Sequence, residues 1–140
     1  MTYILENLAL GDLGDLENPG KGLKSVLNVA EEVEVRFPYL EYHKIPLKDG
    51  VIIPPEKMRE AIEWIRKHIA LGNVLVACHY GVGRSASIVV GYLCSIGYGY
   101  KEAVDFVSSK RSGVNPIPGL EETIKESLDH AQEVKKCTLQ

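Results

Sequence analysis

Apolar residues recur three or four positions apart in three segments of the chain, which is the spacing of helices that bury one face. The first segment runs from Pro54 to about Leu71, where the proline suits a first helical turn and Gly72 ends the helix. The second spans residues 100–110, and the third begins at Pro118. The apolar positions that predict the three buried faces are Met58, Ile62, Ile65 and Ile69, then Ala103, Val104, Phe106 and Val107, then Leu120, Ile124, Leu128 and Ala131.

Three shorter runs are apolar and rich in β-branched residues, which predicts buried strands over residues 25–29, 41–45 and 73–77. Residues 85–93 are apolar on nearly every side, as a buried helix would be. Residues 12–22 contain Gly14, Pro19 and Gly20 and are predicted to form a loop or broken turn. Early strands, late helices and a long helical connection predict one α/β domain over residues 1–140, with a central mixed sheet flanked by helices.

Composition is that of an ordinary globular protein, and it argues against several classes of function. The 140 residues are 45% hydrophobic and 25% charged, and a chain of this length buries about two-thirds of its unfolded surface. The formal net charge of −3 provides no cationic field for nucleic acid or an anionic membrane. The chain has three widely spaced cysteines, no apolar run approaching about 18 residues and no pattern typical of a signal sequence. These features indicate a cytoplasmic protein with reduced thiols. We also expect a monomer.

The segment between the third predicted strand and the buried helix carries the strongest chemical signal. Residues 78–85 read CHYGVGRS, so a cysteine is separated from an arginine by five residues and a serine follows. A loop that enters a helix N-terminus directs backbone N–H groups and the positive end of the helix dipole at a common centre. The guanidinium adds a planar fork that can grip two oxygens of a phosphate. The predicted phosphate-binding residues are His79, Tyr80, Gly81, Val82, Gly83 and Arg84.

The same surroundings act on the thiol of Cys78. A cysteine at a helix N-terminus beside an arginine favours the thiolate, which is the nucleophilic form. A thiolate that faces a bound phosphate ester can displace the alcohol in line and form a phosphocysteine intermediate. A buried structural cysteine beside a surface arginine is the commoner meaning of this spacing alone. The strand, the two loop glycines, the Arg-Ser pair and the buried helix in this order favour the catalytic interpretation.

Displacement of an alcohol also needs a proton donor on the leaving oxygen. Asp49 lies in a loop just after the second predicted strand, where an acid beside the pocket would protonate that oxygen and then activate water. Loop aspartates also cap turns very often, so the chemistry alone leaves both roles open. The weaker candidates for the acid are Asp12, Asp15, Glu31, Glu32 and Glu41.

Ser85 follows the arginine at a position where its hydroxyl can donate to the sulfur of Cys78 when the thiolate leaves during hydrolysis. The position equally suits a serine that only caps the helix, and the two roles are compatible. His79 can line the pocket, although a solvated loop histidine is the commoner case. The other histidines have no partners at metal-ligand spacing, so neither a metal nor a cofactor is predicted.

With three further stretches, the phosphate loop resembles the small dual-specificity phosphatases of the cysteine-dependent protein tyrosine phosphatase superfamily. Residues 4–11 resemble the N-terminal strand pair of that family, residues 24–30 its central strand with the VLN signature, and residues 42–49 the segment with the general acid. Together with residues 74–97, the resemblance covers essentially the whole chain and implies a bare catalytic domain. The catalytic residues that it implies are Cys78, Asp49, Arg84 and Ser85.

The chain departs from the pattern of these relatives in two ways. Ala77 stands where the family usually has a histidine before the nucleophile. That histidine helps to orient and acidify the cysteine, so we expect weaker activity. Classical members of the wider superfamily use a glutamine to place the hydrolytic water, and here Asn115 or Glu121 is the candidate.

These features predict a phosphoprotein phosphatase that acts on phosphotyrosine, with phosphoserine and phosphothreonine as further candidates. Its partners would be phosphorylated proteins or peptides. The loop has no lysine, unlike the basic loops of phosphoinositide phosphatases, and a rhodanese-type sulfur transferase would not need Asp49. Ala77 keeps one alternative open, which is a pseudophosphatase that binds phosphoproteins without turnover.

Overall fold

Five strands form one mixed sheet. They are β1 Thr2–Leu5, β2 Leu8–Gly11, β3 Ser25–Ala30, β4 Glu41–Leu47 and β5 Val74–Ala77. The computed structural model describes the backbone of residues 1–138 and the side chains of residues 1–129. The order of the strands in space is β1-β2-β5-β3-β4. β1 runs antiparallel to β2, and every other neighbouring pair is parallel.

Helices flank this sheet and pack on one another. They are α1 Leu13–Glu17, α2 Pro55–Ile69, α3 Arg84–Ser95, α4 Tyr100–Lys110 and α5 Leu120–Thr138. α3 lies at the centre, in contact with β2, β3, β5 and three other helices, and residues 84–93 are all buried. It approaches α2 so closely that a Cβ on Gly91 would lie 2.5 Å from the sulfur of Met58. Within the described residues, no helix has the length and apolar character needed to cross a membrane.

The four parallel strands end at the same edge of the sheet. There Ala77 of β5 pairs with Gly11 of β2 on one side and Asn28 of β3 on the other, while Ala30 of β3 pairs with Leu47 of β4. The segments that follow these strands therefore converge. Ligand sites of such sheets lie outside the carboxyl ends of the strands, which directs attention to this edge.

Most of the predicted elements are confirmed. The strands expected over residues 25–29, 41–45 and 73–77 are β3, β4 and β5, and residues 4–11 fall in the strand pair β1 and β2. The four long helices are present, although α5 begins at Leu120 because Gly119 at φ +73° interrupts the chain after Pro118. The side chain of Ala131 lies outside the described residues. The expected α/β class, with a loop between a strand and a buried helix, is confirmed.

The loop expected over residues 12–22 is wrong for residues 13–17, which form the short helix α1. Asp12 caps that helix, because its carboxylate accepts the N–H of Asp15 at 3.2 Å while Asp15 accepts the N–H of Asp12 at 3.0 Å. This reciprocal pair satisfies two N–H groups that a helix start leaves unpaired. Burial alone would raise the pKa of Asp12, but the hydrogen bonds from Asp15 and the charge of Arg111 outweigh it and lower that pKa.

Candidate active site

The sulfur of Cys78 lies at the end of β5 with only 2% of the residue exposed. Three groups approach the sulfur: the Ser85 hydroxyl at 3.0 Å, the Gly81 N–H at 3.3 Å and the Ser85 N–H at 3.4 Å. Two backbone donors and a hydroxyl gathered on one sulfur suit a negatively charged atom. Ser85 therefore lies where it was expected, in direct contact with the predicted nucleophile.

The loop of residues 78–83 is fixed from outside. Its carbonyl groups at His79 and Val82 accept the N–H groups of Leu13 at 2.9 Å and Asn115 at 2.8 Å. Gly81 has φ +72°, and a Cβ there would lie 2.5 Å from the Arg111 guanidinium and 2.7 Å from the carbonyl oxygen of residue 11. A side chain at this position would meet both strain and a clash. The sharp turn over the sulfur thus requires glycine.

Arg84 is buried, with 1% of its side chain exposed, and most of its donors are already engaged. Nη1 and Nη2 donate to the two oxygens of Glu32 at 2.6 and 2.7 Å, and Nη1 also donates to the carbonyl of Leu47 at 3.0 Å. The Nε atom is buried without a hydrogen-bond partner among the described residues. A guanidinium has five N–H donors, so Nε–H and the second N–H of Nη2 stay available, side by side, on the edge away from Glu32.

The pair with Glu32 changes the titration of both groups. The hydrogen bonds from Arg84 lower the pKa of Glu32 from 4.5 to about 2 despite partial burial. The same hydrogen bonds raise the pKa of Arg84. Glu32 therefore keeps its charge across the physiological range and holds the guanidinium by its end, which leaves one edge for a ligand.

Glu32 is the residue that sequence reasoning missed, since it was ranked only as a weaker candidate for the acid. It follows β3, and buried Asn28 shapes the turn that presents it. The Asn28 amide donates to the carbonyl of Val33 at 2.8 Å, and its oxygen accepts the N–H of Ala30 at 2.9 Å. The available signal was the position of an acidic residue after a strand parallel to β5.

Asp49 lies at the mouth of the site, with its side chain 64% exposed. Its Oδ1 is 3.9 Å from Nε of Arg84. It helps to line a cavity of about 230 Å³ together with Gly50, Cys78, Tyr80, Val82, Gly83, Arg84 and residues 115–118. The structure thus brings the four predicted catalytic residues to one place, three of them buried and Asp49 exposed to solvent.

The two candidates for a water-positioning residue separate in the structure. Asn115 lines the cavity, whereas Glu121 lies on α5 near Cys94. Burial of the Cys94 thiol and, to a lesser degree, the charge of Glu121 raise the pKa of Cys94. Only Asn115 remains a candidate. Among the residues with described side chains, no group of three or more His, Cys, Asp or Glu is arranged to hold a metal ion.

Replacing Glu32 by glutamine is expected to destabilise the fold in a pH-dependent manner. Because the folded-state pKa of Glu32 is about 2 against an ordinary 4.5, the ionised pair stabilises the fold above pH 4.5, and this contribution is lost as the pH falls through 4.5 towards 2. With Glu32 about half exposed, we expect a loss of about 1–2 kcal/mol at neutral pH. Urea denaturation of the wild type and of Glu32→Gln, from neutral to acidic pH, measures the difference in their free energies of unfolding.

The control for this experiment is Asp105→Asn, which removes an exposed carboxylate 3.0 Å from Lys101. Exposed pairs of this kind contribute little, so this variant should match the wild type at every pH. A difference between wild type and Glu32→Gln that does not shrink on acidification would contradict the ion-pair explanation.

Comparisons with known proteins place this geometry in context. The family described as "Dual specificity phosphatase, catalytic domain" matches residues 15–129. The chain is 27% identical over 133 residues to Dual specificity protein phosphatase 15 of Mus musculus, an alignment that covers 90% of this chain and 57% of that protein. It is 33% identical over 135 residues to Protein phosphatase Slingshot homolog 1 of Homo sapiens, with 89% of this chain and 13% of that protein covered.

Among solved structures, human DUSP28 is similar with a TM-score of 0.83 at 19% sequence identity, covering 95% of this chain and 99% of that chain. At this identity the similarity shows the fold. The chain spans less than two-thirds of the length of the curated relatives named above. What those longer proteins do as wholes is therefore not transferred with the fold.

Proposed function

The chain belongs to the family of dual specificity phosphatase catalytic domains, and we propose that it is a phosphoprotein phosphatase that hydrolyses phosphotyrosine through a phosphocysteine intermediate. Phosphoserine and phosphothreonine are further candidate substrates. One observation carries the proposal: the buried Cys78 and Arg84, whose Nε has no hydrogen-bond partner among the described residues, line the same cavity. A sulfur nucleophile and an oxyanion clamp on one cavity are what phosphoryl transfer from an ester needs.

The substrate phosphate would bind between the loop and Arg84. Nε–H and Nη2–H donate to two of its oxygens, and the backbone N–H groups of residues 79–84 donate to the others at the N-terminus of α3. The pair with Glu32 supports this arrangement, because it fixes the guanidinium before the substrate arrives and so lowers the cost of ordering it.

In the first step, the sulfur of Cys78 attacks phosphorus as the phosphorus–oxygen bond to the leaving group breaks. Asp49 gives its proton to the departing oxygen, so that tyrosine leaves as a neutral phenol. The products are free dephosphorylated protein and phosphocysteine. The position of Asp49 at the mouth of the cavity supports this role, since a leaving group must exit there.

In the second step, water attacks phosphorus and breaks the sulfur–phosphorus bond, and Asp49 takes a proton from that water. Inorganic phosphate and the Cys78 thiolate are released. Ser85 donates its hydroxyl proton as a hydrogen bond to the sulfur as negative charge returns to it, which the 3.0 Å contact supports. Asn115 is the candidate to orient the water.

Replacement of Asp49 by alanine is expected to lower kcat by 10²–10⁴ for a phosphotyrosine peptide, the usual scale of general acid catalysis. The tyrosine phenol has a pKa of about 10 and is a poor leaving group, so its departure depends more on protonation than that of a more acidic phenol. For an aryl phosphate whose phenol is strongly acidic, kcat of the variant should fall much less. The basic limb of the pH–rate profile should also flatten. Steady-state kinetics on both substrates measure this, with Asp105→Asn as a surface control, and equal losses on both would exclude Asp49 as the acid.

Phosphotyrosine is proposed as the substrate because the nucleophile is buried. Cys78 is 2% exposed and lines a cavity of about 230 Å³. The phosphotyrosine side chain is longer than that of phosphoserine, so it carries its phosphate further from the peptide backbone towards a buried thiol. The phosphate loop also has no lysine, and lysines in this loop would be needed to attract a polyanionic lipid headgroup.

A pseudophosphatase that binds phosphoproteins without turnover is the second candidate, and Ala77 is the observation that favours it. Ala77 is fully buried and offers the cysteine no hydrogen bond from its side chain. The test is turnover of a phosphotyrosine peptide beside alkylation of the thiols by iodoacetamide at neutral pH. Binding of the peptide with neither turnover nor preferential alkylation of Cys78 over Cys94 would favour the pseudophosphatase.

We also propose that residues 1–140 act as one domain, as a monomer in the cytoplasm. Cys78 and Cys94 are free thiols, which supports a reducing compartment. Sedimentation of the purified chain and its location by fluorescence microscopy test these points separately.

A further inference from the structure

The phosphate loop carries an aromatic side chain that the proposed chemistry does not use. Tyr80 lies two positions after the nucleophile, lines the cavity and is 64% exposed. Val51 and Ile52 are also exposed, at 51% and 59%, but they line a different cavity. An exposed aromatic side chain on the lining of a cavity is placed to contact a ligand.

His79 holds the Tyr80 ring from one side. The two ring centroids are 4.4 Å apart, and their planes differ by 29°. His79 is itself fixed, because its Nδ1 lies 3.4 Å from Glu32 and its carbonyl accepts the N–H of Leu13. Among residues with described side chains, no further ring packs on Tyr80, so the part of the ring that borders the cavity is open to a ligand.

We propose that Tyr80 is a specificity-determining residue that favours aryl phosphates over alkyl phosphates, an inference that rests on the proposed phosphatase function. A phosphate in the loop places the first atoms of its ester beside the residues that line the cavity. The ring of phosphotyrosine would then meet Tyr80 offset or edge-on, which aromatic pairs prefer. Phosphothreonine and phosphoserine have no ring to place there.

The preorganised pair of His79 and Tyr80 makes this contact effective. An aromatic side chain that is already stacked loses less conformational freedom on binding than a free one. An additional aromatic pair changes an equilibrium by about 2- to 10-fold. The contact is the same before and during phosphoryl transfer, so it should act mainly on KM.

The experiment compares two peptides that differ only in phosphotyrosine or phosphothreonine. In Tyr80→Leu, the ratio of kcat/KM for the two peptides should shift about 2- to 10-fold against phosphotyrosine. Tyr80→Phe keeps the ring and should keep the wild-type ratio. The matched control is Tyr39→Leu, which removes a tyrosine that is 95% exposed and does not line the cavity. A wild-type ratio in Tyr80→Leu, or a loss of the ratio in Tyr80→Phe, would overturn the proposal.

A binding measurement separates this inference from the proposed function. In a Cys78→Ser background, calorimetry gives the dissociation constants of both peptides with and without Tyr80→Leu. A shift of their ratio against phosphotyrosine supports the role of Tyr80 even if the wild type hydrolyses neither peptide, a result that would count against the phosphatase alone. An unchanged ratio of dissociation constants would overturn the role of Tyr80 whatever the turnover.

Discussion

Replacing Cys78 by serine is expected to abolish hydrolysis of phosphotyrosine peptides while binding of inorganic phosphate persists. The hydroxyl is a far weaker nucleophile than a thiolate, and removal of a catalytic nucleophile costs on the order of 10⁶ in kcat in a well-studied hydrolase. In the proposed mechanism the phosphate is held by other groups, namely Arg84 and the backbone of the loop, and the substitution leaves these groups in place. Steady-state turnover and phosphate calorimetry on the same preparation measure the two effects.

Serine is close in size to cysteine, so the substitution should preserve the loop around it. The matched control is Cys94→Ser, on the same helix as Ser85 but outside the cavity, and it should retain activity. Turnover by Cys78→Ser at a rate near that of the wild type would exclude the phosphocysteine mechanism. Loss of phosphate binding together with turnover would mean that the sulfur is part of the anion site.

The second large effect is expected from Arg84→Lys, which should lower kcat/KM by about 10²-fold or more, the scale seen when one oxyanion donor is removed. A lysine keeps the positive charge but has no planar fork. It cannot hold Glu32 with two hydrogen bonds and at the same time present two donors to a phosphate. The substitution therefore removes both the clamp and its support.

The measurement combines kinetics with thermal unfolding, because Arg84 is buried and its loss can weaken the fold. Arg66→Lys is the matched control, since Arg66 is 62% exposed on α2 and pairs with Glu63. It should leave kcat/KM near the wild-type value. If Arg84→Lys remained folded with near-normal kinetics, the phosphate would have to bind somewhere other than beside this guanidinium.

The cysteine, the arginine and the serine of the proposed site could be predicted from the sequence because they lie close together in the chain. Cys78, Arg84 and Ser85 lie within one short loop, and the strand before it and the helix after it restrict its shape. The contacts within such a short loop can be predicted from its residue order, because residues close in sequence are also close in space. The Cys78–Ser85 contact at 3.0 Å follows directly from that order.

Glu32 could not be identified in this way, because it is 52 positions from Arg84 in the sequence. The two meet only because β3 and β5 are parallel neighbours and end at the same edge. Several acidic residues follow strands in this chain, and nothing local distinguishes the one that reaches the guanidinium. The order of the strands depends on the fold of the whole chain, so the partner of Arg84 could be identified only from the tertiary structure.

The helix α1 shows a different limit, since its signal was present in the sequence. Asp12 and Asp15 have the spacing of a reciprocal cap, but nearby glycines and a proline favoured a loop. A helix of five residues has little intrinsic stability. Tertiary packing stabilises this helix, because its buried residue Leu16 belongs to the hydrophobic core and α1 contacts β2 and β5.

The sequence by itself determined the long helices and the strands of this protein, the class of its fold and the position of the loop at Cys78 for which we propose phosphate chemistry, because hydrophobic period and residue order act over a few positions. The tertiary structure alone decided which edge of Arg84 is free, that Asn115 and not Glu121 borders the cavity, and that Tyr80 stands at its mouth. These are relations between segments far apart in the chain. They depend on which strands pair and how closely helices approach, and burial of the whole core fixes both.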